Sequence, residues 1–86
     1  MQPPEFAKRI SAEVVQALRE HRIARGMSLS RLAEKSGLSI AMVHYVERGA
    51  RNPTFDTLLR MSAALNLDLA ALLRRAVAKR TRPVDS

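Results

Sequence analysis

The sequence predicts an all-α protein of five helices, and three features carry that expectation. Apolar residues recur at intervals of three and four along most of the chain, which is the spacing of one face of an α-helix. Gly26, Gly37 and Gly49 each follow such a stretch, at places where a left-handed residue can end a helix. Hydrophobic residues make up 47% of the chain, yet there is no Trp, one Tyr and two Phe, so Leu, Ile, Val, Ala and Met must build the core of a compact helical bundle.

The first helix is expected from Ser11, a good N-cap, through Val14, Val15, Leu18 and Ile23 to Arg25, and Pro4, Phe6 and Ile10 can add a turn before it. Ser28 caps a short second helix with Leu29, Leu32 and Ala33, closed by Ser36 and Gly37. Ser39 caps a third with Ile40, Val43 and Val46, closed by Gly49. Arg51, Asn52 and Pro53 make the next stretch a loop, after which Thr54 caps a fourth helix with Asp56 well placed in its first turn. Leu58, Leu59, Met61, Ala64 and Leu65 supply its apolar face, Asn66 stops it, and Leu67 packs back. Asp68 caps a fifth helix bearing Leu69, Leu72, Leu73, Ala76 and Val77, whose end is basic with Lys79, Arg80 and Arg82.

Composition narrows the function. Eighty-six residues suit one domain that buries about 60 to 65% of its unfolded surface, too little for a deep catalytic cleft, so no enzyme is expected. Without cysteine there is no disulfide and no thiolate metal site, and apolar burial with helix caps must hold the fold. No uncharged stretch approaches the roughly 20 apolar residues of a membrane span, and Pro3, Pro4 and Glu5 at the start do not resemble a secretory signal. A cytoplasmic location without membrane contact is the expectation. Fifteen Lys and Arg against eight Asp and Glu give a net charge of +7, spread along the whole chain, and a polyanion is the natural partner. Arg outnumbers Lys, which suits forked contacts to phosphate.

The most informative segment runs from Met27 to Thr54. It contains LAEKSGLS at the turn between the second and third helices and VERGARNP after the third, and TLLRMSAALNLDL follows. In this it resembles the helix-turn-helix of the Cro/repressor class, or XRE family, over about Leu18 to Leu73. The resemblance implies a lambda-repressor-like five-helix domain in which the second and third helices form the motif. Each position also has a physical reason: Ala33 lets the two helices cross closely, Gly37 permits the tight turn, and Leu38 plugs the space beneath it.

Val43 and Val46 hold the third helix to the core, which turns Ser39, Ile40, Ala41, His44, Tyr45 and Arg48 outward, where a helix can enter a major groove. By resemblance, Ser39, Ile40, Ala41, His44 and Tyr45 are base-facing. No Gln, Asn or Arg stands in the first turn for a bidentate base contact, and Leu29 stands where many relatives have glutamine, so shape and water-mediated readout gain weight. Phosphate is expected at the starts of the second and fourth helices, with Ser28, Leu29 and Thr54, and beside them at Arg48, Arg51 and Asn52. For Arg51 and Asn52 the plainer alternative is a solvated turn. Arg22 and Glu47 match a pair that the family joins between the first and third helices, an architectural role.

Other residues have bland explanations. His21 and His44 lie on different helices with no ligand cluster around them, so no metal or cofactor is expected. Ser11, Ser28 and Ser39 are explained as caps, not nucleophiles. The stripe on the fifth helix is longer than one small bundle needs. Leu69, Leu72 and Leu73 are expected partly in the core, and Leu73, Ala76 and Val77 against a second subunit, the alternative being a wholly intramolecular stripe. Residues 1–10 thus read as an N-terminal extension, with a helical course open to it, 11–80 as a DNA-binding domain with a C-terminal dimerisation helix, and 81–86 as a flexible tail.

The expected function is sequence-preferring binding of double-stranded DNA by a homodimeric regulator, chiefly a repressor. Family members of this length include stand-alone repressors, controllers of restriction–modification systems and antitoxins, so a protein partner such as a toxin stays open. The competing reading is a protein-interaction module on the same fold, motivated by the apolar Ile40, Ala41 and Tyr45 surface.

Overall fold

Helix punctuation in this chain is unusually uniform, and it sets the whole architecture. The computed structural model describes residues 4–81, with side chains over 5–79. Within these lie α1 (Pro4–Ala24), α2 (Leu29–Ser36), α3 (Ile40–Glu47), α4 (Phe55–Ala64) and α5 (Leu69–Thr81), and no strand. The first four end alike. In each, one N–H donates five residues back and its predecessor three back, as in Met27 to Arg22 and Gly26 to Ile23, or Leu67 to Ser62 and Asn66 to Ala63. The residue between is left-handed: Gly26, Gly37, Gly49 and, at φ 56°, Asn66, whose short polar side chain tolerates that conformation.

The starts follow the expected caps. Ser28, Ser39 and Thr54 are extended, and each side-chain oxygen accepts from the N–H three residues on, at 3.0 Å. Asp68 caps α5 in a shorter reach, its side chain accepting from the Ala70 N–H two residues on at 3.0 Å. Of the two starts open to the first helix the earlier is taken, for it begins at Pro4, about two turns before Ser11. Ile10 is buried and Phe6 packs on the core, so the extension continues the apolar face of α1. Of the tail expected at 81–86, all but the Thr81 backbone lies outside the described residues.

The core gathers one face of every helix: Val14 and Leu18 from α1, Leu32 from α2, Val43 and Val46 from α3, Met61 and Leu65, with Leu69 and Leu72 from α5. Buried hydroxyls are satisfied locally, Ser36 donating to the Ala33 carbonyl and Ser62 to that of Leu58. Helix α1 packs along α5, and α2 packs on α3 and α4. Ala76 is 4% exposed in the chain's own core. This corrects its expected place at a subunit interface: α1 is long enough to cover that turn of α5. Among the described residues no helix is long and apolar enough to cross a membrane.

One polar link crosses the core. The Arg22 Nε and Nη2 donate to the two Glu47 oxygens at 2.7 and 2.9 Å, and Arg22 Nη1 donates to the Met27 carbonyl at 2.7 Å. The fork matches the planar carboxylate, and Glu47 is 5% exposed, so α1, the turn before α2 and the end of α3 are tied at one point. Glu47→Ala leaves the half-buried Arg22 without its counter-charge and should cost about 3 kcal/mol or more in urea unfolding. Arg22→Met with Glu47→Leu should cost less than either single substitution, because neither variant charge is then stranded; a double variant as unstable as the sum of the singles contradicts that account.

Candidate nucleic-acid interface

The site is built from two short helices and the turn that joins them. Gly37 at φ 73° reverses the chain after α2, a left-handed conformation that L side chains rarely adopt, with the mobile Arg60 guanidinium its one neighbour at 3.2 Å from where a Cβ would stand. Leu38 follows, half-buried beneath the turn, and its N–H donates to the Ala33 carbonyl at 3.0 Å. Ser39 then starts α3, and Val43 and Val46, at 0% and 1% exposure, fix which side of that helix faces inward.

The outward side is open. Ser39, Ala41 and His44 are exposed, as are Ile40 at 52% and Tyr45 at 44%, so the five expected base-facing residues share one uncovered face. The His44 and Tyr45 rings stand 6.0 Å apart and tilted, a loose pair. Arg48 reaches back to within 3.5 Å of the His44 imidazole, and the Arg51 guanidinium rests 4.0 Å from the Met42 sulfur. The rim is thus basic, and nothing in the described chain lies over the face.

The residues expected at phosphate divide in two. Ser28, Arg48, Arg51, Asn52 and Thr54 are exposed. Leu29 packs its side chain on the core, which leaves its first-turn N–H as the group it can offer an anion. Sequence reasoning passed over Arg19, which lines a shallow groove with Leu29, His44 and Arg48 and lies 3.9 Å from Glu47. Its signal was available, since Arg19 precedes Arg22 by one helical turn and shares its face. Arg31 is also near the motif but is held by Glu34 at 2.8 Å. Among the described residues no cluster of His, Asp and Glu is placed to hold a metal ion.

A second surface was misjudged in the sequence. Phe55 is 65% exposed and Leu59 43%, and together with Ala63, Leu67, Ala70 and Leu73 they line an apolar groove between α4 and α5. Leu58 and Leu59 share the apolar side of α4, but adjacent residues on a helix point about 100° apart, and Leu58 takes the inward place.

Comparison with known proteins agrees with this geometry. A helix-turn-helix family model matches residues 18–72. The chain is 41% identical over 56 residues to the HTH-type transcriptional regulator SutR of Escherichia coli, covering 65% of this chain and 32% of that protein. It is 41% identical over 68 residues to the control protein C.SmaI of Serratia marcescens, covering 79% and 77%. With the HTH-type transcriptional regulator SinR of Bacillus subtilis it shares 36% over 59 residues, 67% and 53% of the two chains. The chain therefore spans a minor part of SutR and about half of SinR, but most of C.SmaI. Among solved structures, the restriction-modification controller protein C.AhdI from Aeromonas hydrophila superposes with a TM-score of 0.65 at 39% identity, over 71% of this chain and 92% of that one. The wild-type controller protein C.Esp1396I shares the fold, with a TM-score of 0.71 at 22% identity over 85% and 96%. With residues 18–72 matched, and with the turn, caps and open third helix that the motif requires, the chain belongs to the helix-turn-helix family of the Cro/repressor, or XRE, type.

Proposed function

We propose that this chain binds double-stranded DNA as a homodimer and regulates transcription by occupying its site, with repression as the output. The observation that carries the reading is the uncovered face of α3, held at a fixed angle by buried Val43 and Val46 and rimmed by Arg48 and Arg51. A helix presented in this way fits the major groove. Ile40 and Ala41 suit a thymine methyl, Ser39 either base or phosphate, and His44 and Tyr45 base edges or phosphate oxygens. Arg48, Arg51, Asn52 and the first turns of α2 and α4, capped by Ser28 and Thr54, position the duplex through phosphate. With no bidentate side chain in the first turn of α3, DNA shape carries more of the sequence preference than in a Gln- or Asn-bearing helix. The family match favours this over a protein-interaction module. On this reading the chain acts in the cytoplasm, where duplex DNA is met, and acts by binding.

Within the family, the control-protein reading is supported by the share of those relatives that is matched, 77% of C.SmaI and 92% of C.AhdI. A toxin partner has no supporting observation.

For the dimer we propose the groove between α4 and α5 in place of the far end of α5. Ala76 is committed to the chain's own core, whereas Phe55 and Leu59 are exposed beside Leu67 and Leu73, with Asp68 the one ionisable side chain in the lining. Two copies of a chain of net charge +7 meet most readily where their cations are absent, so a second copy is the occupant that fits. Such a dimer must hold its two α3 helices about 34 Å apart, one turn of duplex, on a pseudo-palindromic site.

Two measurements test these readings. Arg51→Ala should weaken binding to all duplexes alike and lower the steepness of its salt dependence by about one unit, whereas Ile40→Ala should change preference at one thymine with the salt dependence kept. Identical behaviour of the two variants contradicts the assignment of roles. Leu59→Glu should turn the dimer into a folded monomer in sedimentation and lower apparent affinity for a two-half-site duplex by roughly a hundredfold. A Leu59→Glu protein that still sediments as a dimer places the interface elsewhere.

A further inference from the structure

The family model matches from Leu18, whereas α1 begins at Pro4, so more than half of this helix precedes the segment that the model matches. Its course can be followed on one face. Arg22 and Arg19 reach Glu47 at the end of α3, and successive turns toward the N-terminus bring Val15, then Ser11 and Ala12, then Lys8 onto that same face. The helix thus runs past the end of α3 and alongside the loop that follows it.

There it forms a groove with that loop, lined on one wall by Lys8, Ser11 and Val15 and on the other by Arg48, Arg51 and Asn52. The one acid in the lining, Glu47, has both oxygens taken by Arg22, so its charge is cancelled from the far side. Lys8, Arg48 and Arg51 make no ion pair among the described residues. Three uncompensated cations therefore face one small space, and two of them belong to the rim of the α3 face.

We propose that Lys8 is an additional DNA-phosphate residue, and that the N-terminal turns of α1 lengthen the footprint of the helix-turn-helix along the backbone held by Arg51 and Asn52. This rests on the duplex-binding reading above. The groove is open and polar at its mouth, Ser11 and Asn52 add hydrogen-bonding groups beside the cations, and a lysine on a flexible stem reaches a phosphate as a mobile point charge. Three like charges repel a cationic occupant and attract an anionic one, and adjacency to Arg48 and Arg51 sets that anion beside the duplex that α3 would enter.

The test is a salt series on a random-sequence duplex of about three turns, or about 30 base pairs, read by fluorescence anisotropy. Each phosphate neutralised contributes about 0.9 to the slope of log affinity against log salt. Lys8→Gln is expected to lower that slope by about 0.9, which shrinks the affinity loss between about 50 and about 200 mM salt roughly threefold, with the helical circular dichroism unchanged. Lys35→Gln, which removes an equal charge from the exposed end of α2 outside this groove, is the comparison. A slope unaltered by Lys8→Gln, or lowered as much by Lys35→Gln, overturns the proposal while leaving duplex binding standing. A wild-type chain that shows no salt-dependent binding overturns the duplex-binding reading itself, and this proposal with it.

Discussion

Helices α2 and α3 have eight residues each, fewer than a helix needs to persist alone in water, and the functional surface is made from them. Their shape is therefore borrowed. Leu32, Val43 and Val46 are wholly or almost wholly buried against α1 and α4, and that burial both forms the two helices and sets the rotation of α3 about its axis. Because Val43 and Val46 lie three residues apart, the residues left outside are those between and beyond them on the far arc. Stability and presentation of the reading face are one and the same contact here. A loosened core would blur the interface before it unfolded the chain.

Electrostatics is organised around a single buried carboxylate. Glu47 sits at the end of α3 among several cations, and in a less constrained arrangement it would neutralise the rim. Its pairing with Arg22 from behind turns it into a tie between α1 and α3 and leaves Arg48 and Arg51 with their charge directed outward. Such a pair adds little net stability against apolar alternatives, but it fixes a geometry. The basic character of the chain becomes local at this point: with Glu47 paired from behind, the Arg48 and Arg51 charges at the end of α3 stand without an acidic partner among the described residues.

The fold was largely legible because its signals are local. Each cap, each left-handed stop and each three-and-four spacing is a property of a few neighbouring residues, and Ser28, Ser39, Thr54, Asp68, Gly37 and Asn66 all take the places their chemistry suggests. The candidate reading face was legible for the same reason, since two buried valines determine the exposed arc. Less visible was where α1 starts. Ser11 is a good cap in isolation, but Ile10 and Phe6 find a core to cover, and packing prevails over the local alternative.

Burial between distant segments is where local reasoning stopped. On α5 the residues Leu69, Leu72, Leu73, Ala76 and Val77 form one apolar stripe, and nothing within the helix says which of them α1 will cover; the answer depends on the length and path of a helix some 60 residues earlier. The same holds for Phe55 and Leu59, which any apolar count assigns to the interior and which α4 leaves on its surface. The sequence by itself determined the helices, their ends and the side of α3 that faces out, because these follow from short-range sterics and hydrogen bonding. Only the tertiary structure decided which apolar residues remain exposed and which cations share a groove, because both are set by how helices remote in the chain lie against one another.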